Sequence, residues 1–290
     1  MHISVLLNEA IGYLGPKPNE NFMDCTLGFG GHTKAILEKV KPNGRVLGIE
    51  WDKDIFEQVK KENIERLVLI NDSYANLKNI VQKEKFGPVN GILFDIGISS
   101  FHIDSSNRGF SFQKNEELDM RFSQSQCLTA KEIINKWPEQ DLAEIFKEYG
   151  QERFARNIAS NIARIRKLSP IETTFELIEV IRKSFPKSYK FGKVHFATRT
   201  FQALRIAVNG ELENLKAALP QALEILQKGG RIAVISFHSL EDGIVKRFFK
   251  ENSKNGILQI LTKKPSIPAL LEIKNNPKAR SAKLRAAIKI

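Results

Sequence analysis

The sequence predicts an α/β fold in which a mainly parallel sheet is interrupted by a helical insertion. Three observations predict it. The first hundred residues alternate short apolar runs with amphipathic stretches, a pattern typical of successive strand-helix-strand units. The strands then stop between residues 105 and 198, and sheet character returns near residue 230. The sheet domain is therefore expected to be discontinuous in the chain, with parts at 1–104 and 199–290.

The elements of the first part follow from this alternation. Apolar runs bounded by polar stretches predict strands at residues 22–25, 45–49, 67–70 and 91–94. Amphipathic stretches between these runs predict helices at residues 33–40, 53–61 and 75–83.

The insertion and the second part have their own patterns. Charged amphipathic segments of the insertion predict helices at residues 140–149, 152–166 and 174–183. The second part is predicted to hold a helix at 212–226, a turn at 228–230, a strand at 230–237 and weaker strands at 257–261 and 284–288.

Charge indicates a polyanionic partner. The 290 residues carry a formal net charge of +12, and from His238 to Ile290 twelve Lys and Arg stand against four Asp and Glu. Lys and Arg that neutralise phosphates release bound counterions, so a basic surplus favours nucleic acid. A solvated basic surface without such a partner stays open as an alternative.

Cysteine usage and hydropathy exclude several classes. Only Cys25 and Cys127 are present, without a CxxC pair or a histidine cluster, so neither a disulfide framework nor a metal site is expected. No apolar run approaches membrane-spanning length, and no basic segment precedes the first apolar residues. A soluble protein of the reducing cytoplasm, with no membrane partner, is expected.

A glycine loop follows the first predicted strand. Gly28, Gly30 and Gly31 allow the backbone to turn tightly and to approach a ligand ahead of a helix N-terminus. A nucleotide-like cofactor is therefore expected at this loop. A tight connection without a ligand has the same pattern and stays open.

Glu50 supplies a second signal for a nucleotide. It follows the next strand, about 20 residues after the loop, where an acidic side chain can accept hydrogen bonds from ribose hydroxyls. Asp52 is interpreted as a helix N-cap. Thr33 stands where the dinucleotide fingerprint requires a third glycine, which disfavours NAD.

Asp95 is the leading catalytic candidate. It ends the fourth predicted strand, beside the crevice in which open parallel sheets place their ligands. The alternative is a carboxylate that caps nearby loop amides, for which Gly97, Ser99 and Ser100 offer partners.

These residues lie within longer motifs that are similar to those of a known family. The motifs are DCTLGFGGHT (24–33), GILFDIGISS (91–100), RGFSF (108–112), LDMRF (118–122), YGQERFARNIA (149–159), ATRTFQALRIAVNGEL (197–212) and ISFHSLED (235–242). In this order, over nearly the whole chain, they resemble the bacterial 16S rRNA cytosine N4-methyltransferase family called RsmH or MraW. The resemblance implies a class I, Rossmann-like S-adenosylmethionine-dependent methyltransferase fold with an inserted helical domain that helps to recognise RNA.

The resemblance also implies a reaction and a set of contacts. S-adenosyl-L-methionine would be the cofactor, and the substrate a cytidine amine in the decoding centre of 16S rRNA within the small ribosomal subunit. The positions that it implies for cofactor contact are Gly30, Gly31, His32, Glu50, Tyr74, Asp95 and His102. Two of them depart from the common pattern, because the family usually has aspartate in place of Glu50 and glutamine in place of His102.

Two other classes of protein stay open on the residues alone. One is a small-molecule or NAD-dependent enzyme with the same type of sheet, and the other is a catalytically silent RNA-binding assembly factor. The oligomeric state is left open as well, a homodimer included.

Overall fold

The computed structural model describes residues 4–186, 188, 189, 192 and 195–290. The chain forms two compact units. The first, called the sheet unit, comprises Met1–Gly97 and Leu212–Ile290, and the second, called the helical unit, is Ile98–Glu211. Among the described residues, no helix combines the length and the apolar character needed to cross a membrane.

The sheet unit is built on seven strands. They are β1 (Phe22–Asp24), β2 (Val46–Ile49), β3 (Leu67–Ile70), β4 (Val89–Asp95), β5 (Leu226–Ser236), β6 (Leu258–Ile260) and β7 (Lys283–Lys289). Their order in the sheet is β3-β2-β1-β4-β5-β7-β6, with β1 to β5 parallel and β7 antiparallel to both of its neighbours. This topology confirms the predicted α/β class with a mainly parallel sheet.

Helices connect and cover these strands. They are α1 (Leu7–Leu14), α2 (Gly31–Lys39), α3 (Lys53–Lys61), α4 (Leu77–Lys83), α11 (Glu211–Ile225), α12 (Ser239–Lys254) and α13 (Leu270–Asn275). Short 3-10 helices lie at Tyr74–Asn76 and Pro277–Ser281. The side chain of Asp52 accepts hydrogen bonds from the Asp54 and Ile55 amides, which confirms it as the N-cap of α3.

The carboxyl ends of the parallel strands form one edge of the sheet, called here the carboxyl edge. Asp24 pairs with Gly48 and with Leu93, so the ends of β1, β2 and β4 lie side by side. Because β7 is antiparallel, its first residue, Lys283, pairs with the last residue of β5, Ser236. Residues at or just after the ends of β1, β2 and β4 therefore lie close together at the carboxyl edge.

The predicted elements of the sheet unit are largely confirmed. The helix at Lys53–Lys61 and the strand at Leu67–Ile70 have the predicted bounds. The helix predicted at 75–83 instead begins as a 3-10 turn. The turn predicted at 228–230 lies within β5, where Gly229 has a φ of +79° and the pairing with β4 shifts register. A glycine inside the strand absorbs this irregularity as a bulge would.

The helical unit has a separate core. It contains α5 (Ser100–Asp104), α6 (Ala130–Lys136), α7 (Glu139–Glu148), α8 (Ala155–Ile165), α9 (Thr174–Lys183) and α10 (Thr198–Asn209). α7 packs on α8 and α8 on α9, around fully buried Phe146, Ile158 and Ile162. Burial of each such side chain contributes roughly 2 kcal/mol relative to exposure.

The boundaries of the helical unit differ from the predicted ones. The insertion was expected at 105–198, whereas the compact unit is Ile98–Glu211. The difference consists mainly of α5 and α10, and α10 packs on α6 and α7 within this unit. The apolar pattern of α10 would suit packing on the sheet unit or on the helical unit. The sequence alone therefore did not show which of the two cores this helix joins.

Candidate active site

The glycine loop connects β1 to α2 at the carboxyl edge. Gly28 and Gly30 have φ angles of +52° and +74°, in the left-handed region that favours glycine. The Gly30 amide donates to the Leu27 carbonyl at 2.9 Å and so closes the turn. Past this turn begin the first amides of α2, which an α-helix leaves without intrahelical acceptors. The loop thus directs a helix N-terminus at the carboxyl edge.

Glu50 is bonded to this loop. Its Oε2 accepts from the Gly28 amide at 2.9 Å, and its Oε1 accepts from the Asp52 amide at 2.8 Å. Burial raises the pKa of the Glu50 carboxyl to about 7, against the effect of these amides. Each carboxylate oxygen has a second lone pair, so Glu50 retains the capacity to accept hydroxyl hydrogens.

A buried pair beneath the loop was not assigned from the sequence. Thr33 Oγ1 donates to Asp24 Oδ2 at 2.7 Å, and both residues are buried. Thr26 Oγ1 accepts from the Asp95 amide at 2.6 Å and so ties the loop to the end of β4. A glycine in place of Thr33 would remove the hydroxyl donor, which explains structurally the departure from the dinucleotide pattern. The signal was an aspartate at the end of β1.

Asp95 has a carboxylate that the described residues satisfy only in part. Its side chain is 20% exposed, and its Oδ2 lies 3.7 Å from His32 Nδ1. Its Oδ1 is buried and accepts no hydrogen bond from any residue that the structure describes. Burial raises the pKa of Asp95 to about 6; the charges of Asp24 and Glu241 raise it further, and His32 opposes them. A buried acceptor without a donor is costly and indicates a place for a ligand.

His32 is held from the other side by the N-terminal segment. It is buried, and its Nε2 lies 3.0 Å from the Val5 carbonyl oxygen. A carbonyl only accepts, so the hydrogen is on Nε2. A Cβ on Gly31 would collide with Ser4 Oγ, so the loop and this segment pack without room for a side chain. No local pattern links residues 4 and 5 to the loop, so these contacts could not be predicted from the sequence.

Tyr74 lies in the 3-10 turn after β3. Its ring meets that of Phe94 edge-to-face, with centroids 5.8 Å apart and an interplanar angle of 88°. Phe94 is the buried neighbour of Asp95 on β4. The structure therefore assembles Gly30, Gly31, His32, Glu50, Tyr74 and Asp95 within the sheet unit.

His102 is in the helical unit. It is buried at the third position of α5, where it forms a capping box with Ser99. Its ring lies 5.0 Å from that of Phe110 and 4.9 Å from that of Phe122, centroid to centroid. These contacts describe an aromatic packing position, and a role in cofactor binding stays a prediction.

The strand order and the glycine loop after β1 are those of the class I methyltransferase fold that the sequence motifs imply. The whole chain, residues 1–290, matches the model of the MraW methylase family. The chain belongs to this family.

Two named relatives align with this chain over nearly their whole length. A protein of Kosmotoga olearia named ribosomal RNA small subunit methyltransferase H is 46% identical over 295 aligned residues, covering 100% of this chain and 97% of the relative. The same name is given to a relative from Desulfotalea psychrophila, which is 44% identical over an alignment that covers 100% of this chain and 98% of the relative. A crystal structure of a Clostridium thermocellum protein called a putative rRNA-methylase aligns over 100% of both chains with a TM-score of 0.49 and 15% identity.

Proposed function

We propose that the protein uses S-adenosyl-L-methionine to methylate the N4 amine of a cytidine in the decoding centre of 16S rRNA, within the small ribosomal subunit. The observation that carries the proposal is the buried Oδ1 of Asp95, an acceptor without a donor among the described residues, at the end of β4. The names of the 42–46% identical relatives support the RNA substrate. The net charge of +12 supports it as well.

The residues of the sheet unit fit this cofactor. The N-terminus of α2 at Gly31 and His32 offers amides, and Glu50 offers lone pairs for ribose hydroxyls. Tyr74 offers an aromatic surface for the adenine. When bound, the cofactor supplies an electrophilic methyl group on a positively charged sulfur. The carboxylate of Asp95 favours such a positive charge.

Asp95 would act on the amine. The lone pair of a cytosine amine is delocalised into the ring, so the nitrogen is a weak nucleophile that must be held in place. The carboxylate of Asp95 would accept an N–H hydrogen bond, orient the amine and take its proton as the N–C bond forms and the bond between the methyl carbon and sulfur breaks. A pKa of about 6 leaves Asp95 ionised at neutral pH yet basic enough to help.

His32 would assist Asp95. Its Nε2 donates to the Val5 carbonyl oxygen at 3.0 Å, which leaves Nδ1 3.7 Å from Asp95 Oδ2. When the ring is protonated, its positive charge favours the ionised carboxylate of Asp95. The target base must be unpaired or turned out of a helix to reach these atoms.

The test is methyl transfer to purified small subunits that lack the modification, with labelled S-adenosylmethionine, followed by mass spectrometry of the digested 16S rRNA. The expected product is one N4-methylated cytidine in the decoding region. Label on another atom or another RNA would contradict the proposed substrate. Cofactor binding without any transfer would favour a silent assembly factor, and preferential binding of NAD would contradict the cofactor.

A further inference from the structure

A basic and apolar segment lies at the same edge of the sheet as the candidate site. Residues 263–282 leave the sheet beside β7 and return to it at Lys283. Ser266 pairs with Leu284, near the start of β7, and that start pairs with the end of β5. The segment therefore lies beyond the carboxyl edge, where the glycine loop and Asp95 also lie.

This segment exposes large apolar side chains. Ile267, Leu270 and Leu271 are 67%, 87% and 68% exposed. Ile267 precedes the six-residue helix α13, which begins with the two leucines. Three neighbouring apolar side chains this exposed indicate a contact surface, because solvent exposure leaves their burial energy unused.

The segment is also strongly basic. It contains five Lys and Arg and a single acid, Glu272. Lys263, Lys264 and Lys274 are exposed, and none is ion-paired with a residue that the structure describes. Glu272 is engaged elsewhere, because its Oε1 accepts from the Leu6 amide at 2.8 Å. The positive charge is thus available to an anionic partner.

The bond of Glu272 also joins the segment to the candidate site. Leu6 is buried with a φ of +51°, and its neighbour Val5 bonds His32 of the cofactor loop. A short series of contacts therefore runs from α13 through residues 6 and 5 to the ring that faces Asp95.

We infer that the exposed face of residues 263–274, made up of Lys263, Lys264, Ile267, Leu270, Leu271 and Lys274, binds an unpaired stretch of the RNA substrate next to the target base. This inference rests on the proposed function. The lysines bind phosphates, and the apolar side chains contact the faces of bases that single-stranded RNA leaves unstacked. A double-stranded helix would not offer those faces, so the surface favours the unpaired state that the reaction requires.

The test uses two variants of this face and a matched control. The variants are Lys274→Glu and the double substitution Leu270→Ser with Leu271→Ser, which remove no buried side chain. The control combines Lys254→Glu with Ile257→Ser. Both control residues are exposed, and Ile257 accepts from Ile290 beyond the other end of β7, at the opposite edge of the sheet.

The affinity for an unpaired RNA oligonucleotide that contains the target cytidine is measured at several salt concentrations. KM and kcat for methyl transfer are measured with small subunits as the substrate. For Lys274→Glu we expect about tenfold weaker binding at 0.1 M salt and a log–log salt slope reduced by about one. The leucine variant should raise KM several-fold with little change in salt slope. Both should bind S-adenosylmethionine like the wild type, and the control should match the wild type throughout.

Four results would overturn the inference. One is unchanged RNA binding and KM in both variants while the wild type remains active. A second is an equal loss in the control. The third is that the wild type binds vesicles that contain anionic lipid and only the face variants lose this binding, while their RNA affinity is unchanged. The fourth is a dimer in sedimentation that the leucine variant dissociates, again without an RNA effect. Absence of methyl transfer by the wild type would instead refute the proposed function.

Discussion

Asp95 is the last residue of β4, and Asp242 lies in the first turn of α12, after the neighbouring strand β5. The two carboxylates have opposite surroundings. Arg285 donates to Asp242 from Nε at 2.6 Å and from Nη2 at 3.2 Å, and Lys283 Nζ lies 3.6 Å away. Burial alone would raise the pKa of Asp242, but the bonds and charges of Arg285 and Lys283 outweigh it and lower the pKa. Asp95 has no such cation bonded to it among the described residues, and its pKa is raised to about 6.

The comparison contrasts a structural carboxylate, Asp242, with the one that we propose for catalysis, Asp95. Two guanidinium hydrogen bonds hold Asp242 as an anion and give each of its oxygens a donor. Burial raises the pKa of Asp95, and Oδ1 of its carboxylate has no hydrogen-bond donor among the described residues. Such an oxygen is stabilised only when another molecule donates a hydrogen bond to it.

The largest expected effect is on catalysis at Asp95. Asp95→Ala and Asp95→Asn should lower the rate of methyl transfer at least about 100-fold, because they remove the acceptor for the amine proton. Circular dichroism should show an intact fold. Asp242→Asn is the matched control and should keep the wild-type rate per folded molecule; a similar loss in both would erase the distinction.

The next effect is on stability at Asp242. Asp242→Ala should lower the free energy of unfolding by about 3 kcal/mol, because the guanidinium of Arg285 is then left largely buried and unpaired. Urea denaturation measures this value. The double variant with Arg285→Met should recover part of the loss, and a loss under about 0.5 kcal/mol in the single variant would show that the pair contributes little.

A smaller effect is on cofactor affinity as a function of pH. Glu50 and Asp95, with pKa values of about 7 and about 6, lose their charge as the pH falls. Affinity for S-adenosylmethionine should therefore fall up to about tenfold between pH 8 and pH 6 in calorimetric titrations. S-adenosylhomocysteine lacks the positive sulfur and should depend less on Asp95, and Glu50→Gln should flatten the dependence. Equal, pH-independent affinities would contradict the assigned contacts.

An effect of comparable size is on the pH dependence of stability at Asp95. Its folded pKa lies above the ordinary value of 3.8, so its contribution is full below about pH 4 and is lost as the pH rises through about 6. Relative to the wild type, Asp95→Asn should be more stable at pH 8 than at pH 4, by up to about 2 kcal/mol. Denaturation at both pH values measures the difference, and no pH dependence would argue for an ordinary pKa.

Local patterns were enough to predict the core of the sheet unit. The apolar run at Leu67–Ile70, the amphipathic helix at Lys53–Lys61 and the place of Glu50 after a strand depend on neighbouring residues alone. The partners within the site depend on tertiary contacts. The bond of His32 to Val5 spans 27 positions, and that of Leu6 to Glu272 spans 266, so no periodicity reports them.

The assignment of Asp95 is tested most directly by single-turnover methyl transfer to small subunits, measured from pH 5 to pH 8. In the wild type the rate should rise with pH through about 6 and then level, as the Asp95 carboxylate becomes ionised. In Asp95→Asn the residual rate should lack this rise. A rise through the same pH in the variant would assign the base to another group and contradict the account.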